Sequence, residues 1–254
     1  MNNGPGVIRN PAGERLDYAF AAGEGQPAGA VPATAVVLGH GVTAHRDRPW
    51  LVALSSALAR AGLASLRLSF AGNGASEGRY EDSNPSKEVG DLRSAIDALD
   101  RWGVGRIAYV GHSMGGAVGV LTAVQEPRIR ALVSLAGMVR VRWFFETHFA
   151  HLAPGAPMLE KPECPWSRAL LEDARRIDTV LPQTARIEVP WLLVHGDADE
   201  LVPYQDSVDA VMAADGRPTL VTLNGIDHRF TGAVPQMVEA VVEWLRTVIA
   251  SGRS

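Results

Sequence analysis

RIAYVGHSMGGAVGVL, residues 106–121, decides the fold. It opens on RIAYV, a short apolar run of the kind that makes a buried strand, and closes on MGGAVGVL, which starts a helix. Between them lies GHSMG (111–115), a G-x-S-x-G pattern. A strand, a sharp turn and a helix in immediate succession hold a serine hydroxyl clear of the sheet edge. Small residues, here Gly111, Gly115 and Gly116, let strand and helix approach. The helix start aims free N–H groups and the positive end of its dipole at the same point.

A second match, GASEG (74–78), competes for the role. Its surroundings differ. The preceding strand ends near Phe70, and Gly72, Gly74 and Gly78 place Ser76 in a loop. RYEDSNP follows, so no helix begins before about Pro85. Ser113 is therefore read as the nucleophile and Ser76 as a loop residue.

Outward from the elbow, strands and helices alternate. VIR (7–9) and LDYAF (16–20) flank NPAGE and suggest an opening hairpin. TAVVLG (34–39) and LASLRLSF (63–70) read as strands on either side of a helix over 48–62. Asn84 caps the next helix, whose Val89, Leu92, Ile96 and Leu99 share a face before Gly103 ends it. IRALVSLAG (129–137) is a strand. From about 138 to 188 no buried-strand run is found, and Pro and aromatic residues abound. Strands WLLVHG (191–196) and TLVTLNG (219–225) then resume, with helices near 204–214 and 235–249. Continuous apolar strands alternating with amphipathic helices predict an α/β fold: a mostly parallel sheet with helices on both faces, in one domain over 1–254 with an inserted lid at about 138–188. Sites in such sheets form at the carboxyl ends of the strands.

A serine hydroxyl needs a base, and the base an orienting acid. After WLLVHG comes DADELVP, with Asp197 and Asp199 as candidates. Asp199, further out on the loop, can turn toward the sheet top; Asp197 suits bracing the turn. After TLVTLNG comes IDHRF, which offers His228 as base. His40, His112 and His195 each precede a glycine at a strand end and read as turn supports; His45, His148 and His151 lie in a loop or in the insert. An oxyanion hole needs two backbone donors: the N–H of Met114, and one from HGVTAHRDRP (40–49), where Val42 is preferred over Thr43.

Composition bounds the rest. The 254 residues are 46% hydrophobic and 20% charged, with a net charge of −4 and no basic block. Nucleic acid and anionic membrane surfaces are excluded as expected partners. Cys164 is the only cysteine, so no disulfide forms within the chain, and no Cys/His spacing suits zinc. No metal or cofactor is expected. MNNGPGVIRNPAGE lacks the pattern of a secretory leader, and no apolar run reaches the ~18 residues of a membrane span. A cytoplasmic protein is expected.

HGVTAHRD (40–47), LASLRLSFAGNGASEGRYED (63–82), VGHSMGGAV (110–118), HGDADELVP (195–203) and IDHRF (226–230) together resemble a serine α/β-hydrolase. They are most similar to the bacterial feruloyl (cinnamoyl) esterase group. The resemblance covers about residues 31–137 and 189–250. It implies Ser113 as nucleophile, His228 as general base, Asp199 as its orienter, and Val42 and Met114 N–H as the oxyanion hole. The same residues follow from strand-end position alone.

The insert departs from that group, whose lid carries polar residues including a tyrosine. Residues 138–188 hold no tyrosine and offer Trp143, Phe144, Phe145, Phe149 and Trp166, with Glu146, His148 and His151 nearby. These aromatics are expected to line an apolar acyl pocket. The expected activity is a cofactor-free serine esterase acting on small to medium carboxylic esters. Activity should rise through roughly pH 6–7, as a histidine base requires. A thioesterase, lactonase or peptidase would use the same residues. A non-catalytic protein holding a ligand under the aromatic lid is the reading from another class. The expected partners are a small-molecule ester and, at most, a second copy of the chain.

Overall fold

The computed structural model describes residues 4–27 and 29–251; residues 1–3 of the stretch read above for a leader lie outside them. The chain begins with a short antiparallel pair, β1 (Ile8–Arg9) and β2 (Arg15–Leu16). The opening hairpin is thus shorter than expected. It breaks at Asp17, and the continuation, β3 (Tyr18–Ala21), leaves to run antiparallel to Ala64–Leu68. The cause is local. The Asp17 N–H donates to Ser76 Oγ at 2.8 Å, and the Asp17 carbonyl accepts from Ser69 N–H at 2.9 Å. Both backbone groups are spent on the loop that holds Ser76, and none is left for β1.

Strand and helix then alternate: β4 (Thr34–Gly39), α1 (Pro49–Arg60), β5 (Ala64–Leu68), α2 (Pro85–Trp102), β6 (Arg106–His112), α3 (Met114–Ala123) and β7 (Ile129–Leu135). Asn84 caps α2 by accepting from Lys87 N–H at 2.9 Å, and Gly103 ends it at φ 105°. The next segment holds α4 (Val141–Phe149), a small hairpin of β8 (Pro157–Met158) and β9 (Lys161–Pro165), α5 (Arg168–Ile177) and α6 (Leu181–Thr184). β10 (Trp191–Gly196), α7 (Tyr204–Ala213), β11 (Thr219–Leu223) and α8 (Val234–Ala250) complete the chain.

The main sheet has seven strands in the order β11-β10-β7-β6-β4-β5-β3, all parallel except β3. This is the α/β-hydrolase fold expected from the sequence. The strands bury both faces. On β4, Ala35 and Val37 join one core while Val36 and Leu38 join the other; on β6, Ile107 and Tyr109 alternate in the same way with Ala108 and Val110. α1 covers one face with Leu51, Leu54 and Leu58, joined by Met237, Val241 and Leu245 of α8. Leu92, Ile96 and Leu99 of α2 and Ala117 and Val118 of α3 cover the other. Each such leucine contributes about 1.5–3 kcal/mol by leaving water.

The register sets the site. Gly39 of β4 pairs with Gly111 of β6, so the two strands end level and their following loops meet.

The segment between β7 and β10 is tied down at its base. The buried Asp206 carboxylate accepts from Val139 N–H at 2.8 Å and Arg140 N–H at 3.0 Å, and pairs with the Arg140 guanidinium. Val139 C=O accepts from Val180 N–H and Thr179 Oγ, which joins the beginning of the segment to its end.

Candidate active site

Ser113 sits between β6 and α3 at φ 54°, ψ −119°. A non-glycine residue reaches positive φ only when its surroundings impose it. Here the Ser113 N–H donates to Leu135 O at 2.9 Å, while its carbonyl accepts from Gly116 and Met138 N–H at 2.9 and 3.0 Å. The turn admits no side chain at Gly111, where a Cβ would lie 2.1 Å from the Gly115 carbonyl oxygen. Gly41 is constrained from the other side, since its Cβ would come within 2.8 Å of Ser113 Cβ. That absence of a side chain lets the Gly41 backbone pack against the serine. Among the described residues, neither the Val42 nor the Met114 N–H donates a backbone or side-chain hydrogen bond. Val42 and Ser113 line the same cavity, and Met114 follows Ser113 at the start of α3.

His228 follows β11, and its Nδ1–H donates to Asp199 Oδ2 at 2.7 Å. The Asp199 side chain is buried and fully engaged. Its Oδ1 accepts from Leu201 and Val202 N–H, each at 2.9 Å, and its Oδ2 also accepts from His195 Nε2 at 3.0 Å. Burial alone would raise its pKa, but the hydrogen bonds from His195 and His228 outweigh it and hold the carboxyl below its usual range. With Nδ1 committed to Asp199, Nε2 of His228 is left as the basic nitrogen. Ser113 and His228 line one cavity. The hydrogen bond between them is not formed among the described residues; such bonds are often long in empty sites and tighten with substrate.

Asp197 braces the neighbouring turn, as its position suggested: its Oδ1 accepts from Gly225 N–H. His112 donates Nε2–H to the His228 carbonyl at 3.0 Å and lies 4.7 Å, ring to ring, from His228. Burial and the neighbouring His228 lower its pKa to about 3, so it stays neutral. His40 ties the two loops together, donating to Gly41 O at 2.9 Å and accepting from Phe70 N–H at 3.1 Å.

His195 does more than support a turn. Both partners of Nε2, Asp199 Oδ2 and Val202 O, are acceptors, so Nε2 carries the proton, and Nδ1 meets Ser207 Oγ at 2.7 Å. This ring aims the Asp199 carboxylate. The i, i+4 spacing of His195 and Asp199 was the available signal. His195→Ala is expected to lower kcat by about 10–100-fold, the range a misplaced catalytic group costs, and to leave KM within about twofold. Steady-state kinetics check it; a loss confined to KM would contradict it.

Ser76 lies in the loop after β5. Its Oγ accepts from Asp17 N–H and donates to Ser69 O at 2.7 Å, which clamps β3 to that loop. Ser76→Ala should cost about 1–3 kcal/mol in thermal unfolding, since it orphans two partly buried backbone groups, and should leave ester turnover within about twofold. Loss of turnover with normal stability would return Ser76 to candidacy.

The cavity beside Ser113 measures about 490 Å³. Its walls come from the Gly41–Ala44 loop, Arg48–Trp50, His112, Leu201, the His228–Arg229 pair and, from the inserted segment, Phe144 and Leu159–Lys161. The five aromatics expected there divide. Phe144 lines the cavity. Phe145, Phe149 and Trp166 lie in the core instead, with Trp166 stacked 5.6 Å from Phe149 and 6.2 Å from Phe145. Trp143 is 41% exposed and does not line the cavity. The reason is helical spacing: α4 turns Phe145 and Phe149, four residues apart, onto one face against the sheet-side core. Cys164 is buried there too, and burial pushes its thiol up to about 11, so it is unreactive. Among the described residues no group of three or more His, Cys, Asp or Glu could hold a metal ion, and no helix is long and apolar enough to cross a membrane.

A family model described as serine aminopeptidase, S33, matches residues 30–163, just over half of the chain. The chain is 28% identical over 182 residues to an uncharacterized protein of Mycobacterium tuberculosis, a match covering 72% of this chain and 59% of that one. It therefore spans less than two thirds of that relative's length. Among solved structures it resembles Est1E from Butyrivibrio proteoclasticus with ferulic acid bound, at 26% identity and TM-score 0.86, covering 96% of this chain and 99% of the other. The esterase Pf2001 of Pyrococcus furiosus, at 19% identity and TM-score 0.73 over 95% and 90% of the two chains, shares the fold.

Proposed function

The chain belongs to the serine α/β-hydrolase family described as serine aminopeptidase, S33, and from that premise we propose that it hydrolyses carboxylic esters of small to medium size through an acyl-enzyme on Ser113. The observation that supports this most is the 2.7 Å bond from His228 Nδ1 to Asp199, together with a serine at positive φ that lines the same cavity as His228. In this reading His228 Nε2 takes the Ser113 Oγ proton as Oγ attacks the ester carbonyl carbon. The negative oxygen sits on the Val42 and Met114 N–H groups. The tetrahedral intermediate collapses, the C–O bond to the alcohol breaks, and His228 protonates the departing oxygen. Water, deprotonated by the same nitrogen, then attacks the acyl carbon and frees Ser113 and the acid.

Esters are favoured over the free N-termini of peptides by charge. Holding a substrate ammonium needs a carboxylate, and the cavity offers Arg48, Lys161 and Arg229 against the exposed Glu160 alone. Est1E, with ferulic acid bound, points the same way. The segment at 138–188 acts as the lid, through Phe144 and the β8–β9 hairpin. A panel of 4-nitrophenyl acyl esters and methyl ferulate tests the reading. Turnover of esters is expected; turnover of thioesters, lactones or aminoacyl amides alone would overturn the substrate class and leave the site in place.

A further inference from the structure

Three cations line the Ser113 cavity: Arg48 before α1, Lys161 at the start of β9 and Arg229 beside His228. Arg48 Nη2 donates to Thr43 O at 3.0 Å, and Lys161 Nζ donates to the same carbonyl. Thr43 is next to Val42, so both cations stand at the loop that flanks the nucleophile. None of the three has a carboxylate oxygen within salt-bridge distance among the described residues. Elsewhere the chain spends carboxylates freely on arginine: Arg128 meets Glu126, Asp97 and Asp100, and Arg140 meets Asp206 and Asp209.

The nearby acids make no ion pair with the cluster among the described residues, although Glu160 lines the cavity, Glu163 attracts Lys161 and Asp227 attracts Arg229 through space. Glu160 and Glu163 are exposed, and Asp227 accepts from Arg229 N–H and Thr231 N–H. Lys161 is half-buried, and burial together with the charges of Arg48 and Arg229 lowers its pKa. A positive cavity in a chain of net charge −4 is a local arrangement, and it costs self-repulsion unless an anion completes it.

Resting on the ester reading above, we propose that the substrate carries an anionic group, a carboxylate or a phosphate, seated between Arg48, Lys161 and Arg229 while its ester reaches Ser113. Guanidinium and ammonium groups make charge-assisted hydrogen bonds to either oxyanion. A cavity of about 490 Å³ admits such a tail beside an acyl chain of several carbons.

The test compares three acyl esters of 4-nitrophenol: the half-ester of adipic acid, its methyl-capped neutral counterpart, and the 6-phosphonooxyhexanoate. At low salt an anionic tail is expected to raise kcat/KM about tenfold over the neutral ester, and the larger of the two gains identifies carboxylate or phosphate as the group. The preference should shrink several-fold between 20 and 500 mM salt. It should collapse toward one in Arg48→Ala/Lys161→Ala and persist in Lys161→Arg; the salt series on the unaltered protein serves if the double variant does not fold. A neutral ester hydrolysed as well as both anionic ones overturns the anion site and leaves the esterase standing. If no ester turns over, fluorophosphonates with the same charged and capped tails read the preference from the rate of Ser113 adduct formation. Equal rates overturn the anion site, and no adduct with either overturns the serine reading along with it.

Discussion

Ser113→Ala is expected to lower kcat by about 10⁶-fold on any ester the chain turns over, the loss seen when a triad serine is removed. The effect should be this large because, in the proposed mechanism, Ser113 Oγ forms the acyl bond, and the other G-x-S-x-G serine does not line the cavity. The Ser76 hydroxyl is held between Asp17 N–H and Ser69 O in the loop after β5. Folding should survive. Ser113 is fixed through its backbone by Leu135, Gly116 and Met138, and alanine keeps those bonds. A thermal midpoint at or slightly above that of the parent is expected, with ester turnover at the buffer rate. Residual turnover above about one thousandth of the parent rate would remove Ser113 from the nucleophile role.

Asp199→Asn is expected to lower kcat by about 10³–10⁴-fold. The Asp199 carboxylate accepts from four donors: Leu201 and Val202 N–H at Oδ1, His195 and His228 at Oδ2. An asparagine presents N–H₂ where one of those oxygens stood. Either it faces the imidazole N–H of His228 and turns the ring to the wrong tautomer, or it faces the two loop N–H groups and unseats the loop.

The same substitution carries a pH signature. The folded pKa of Asp199 lies below its usual 3.8. Its charge therefore contributes stability that is fully present above that value. Below it the unfolded chain binds the proton that the folded site still refuses, so this stability is lost as pH falls through the folded pKa. The gap in thermal midpoint between the parent and Asp199→Asn should be widest at neutral pH and narrow below about pH 4. A gap that is constant from pH 7 to 3 would mean that the carboxyl is not held charged by its partners.

The elbow and the strand ends were legible in the sequence because the physics there is local. A buried strand, a turn without side chains and a helix start are contiguous at 106–121, and Asp199 and His228 each follow an apolar strand by three residues. What escaped is carried by contacts between distant segments. Asp17 leaves the opening hairpin because Ser69 and Ser76, fifty or more residues on, take its backbone groups. The aromatic run at 143–149 shows that α4 buries a face, but only the fold shows that this face meets Trp166 and the core and that Phe144 alone reaches the cavity. β8 and β9 are too short and too proline-rich to display a strand period. Arg48, Lys161 and Arg229 lie on three unrelated segments, each unremarked in a chain with 24 Lys and Arg. His195 could have been found, since it is the last residue but one of β10 and stands four residues before Asp199.

Everything proposed for the cavity rests on Ser113 being an activated nucleophile served by His228. Fluorophosphonate labelling of the native protein, followed by peptide mass mapping, tests it most directly, because the reagent reacts only with serines whose proton a base can take. One adduct is expected, on Ser113, absent from His228→Ala and undiminished in Ser76→Ala. An adduct on Ser76, or an adduct on Ser113 that forms equally well without His228, would contradict it.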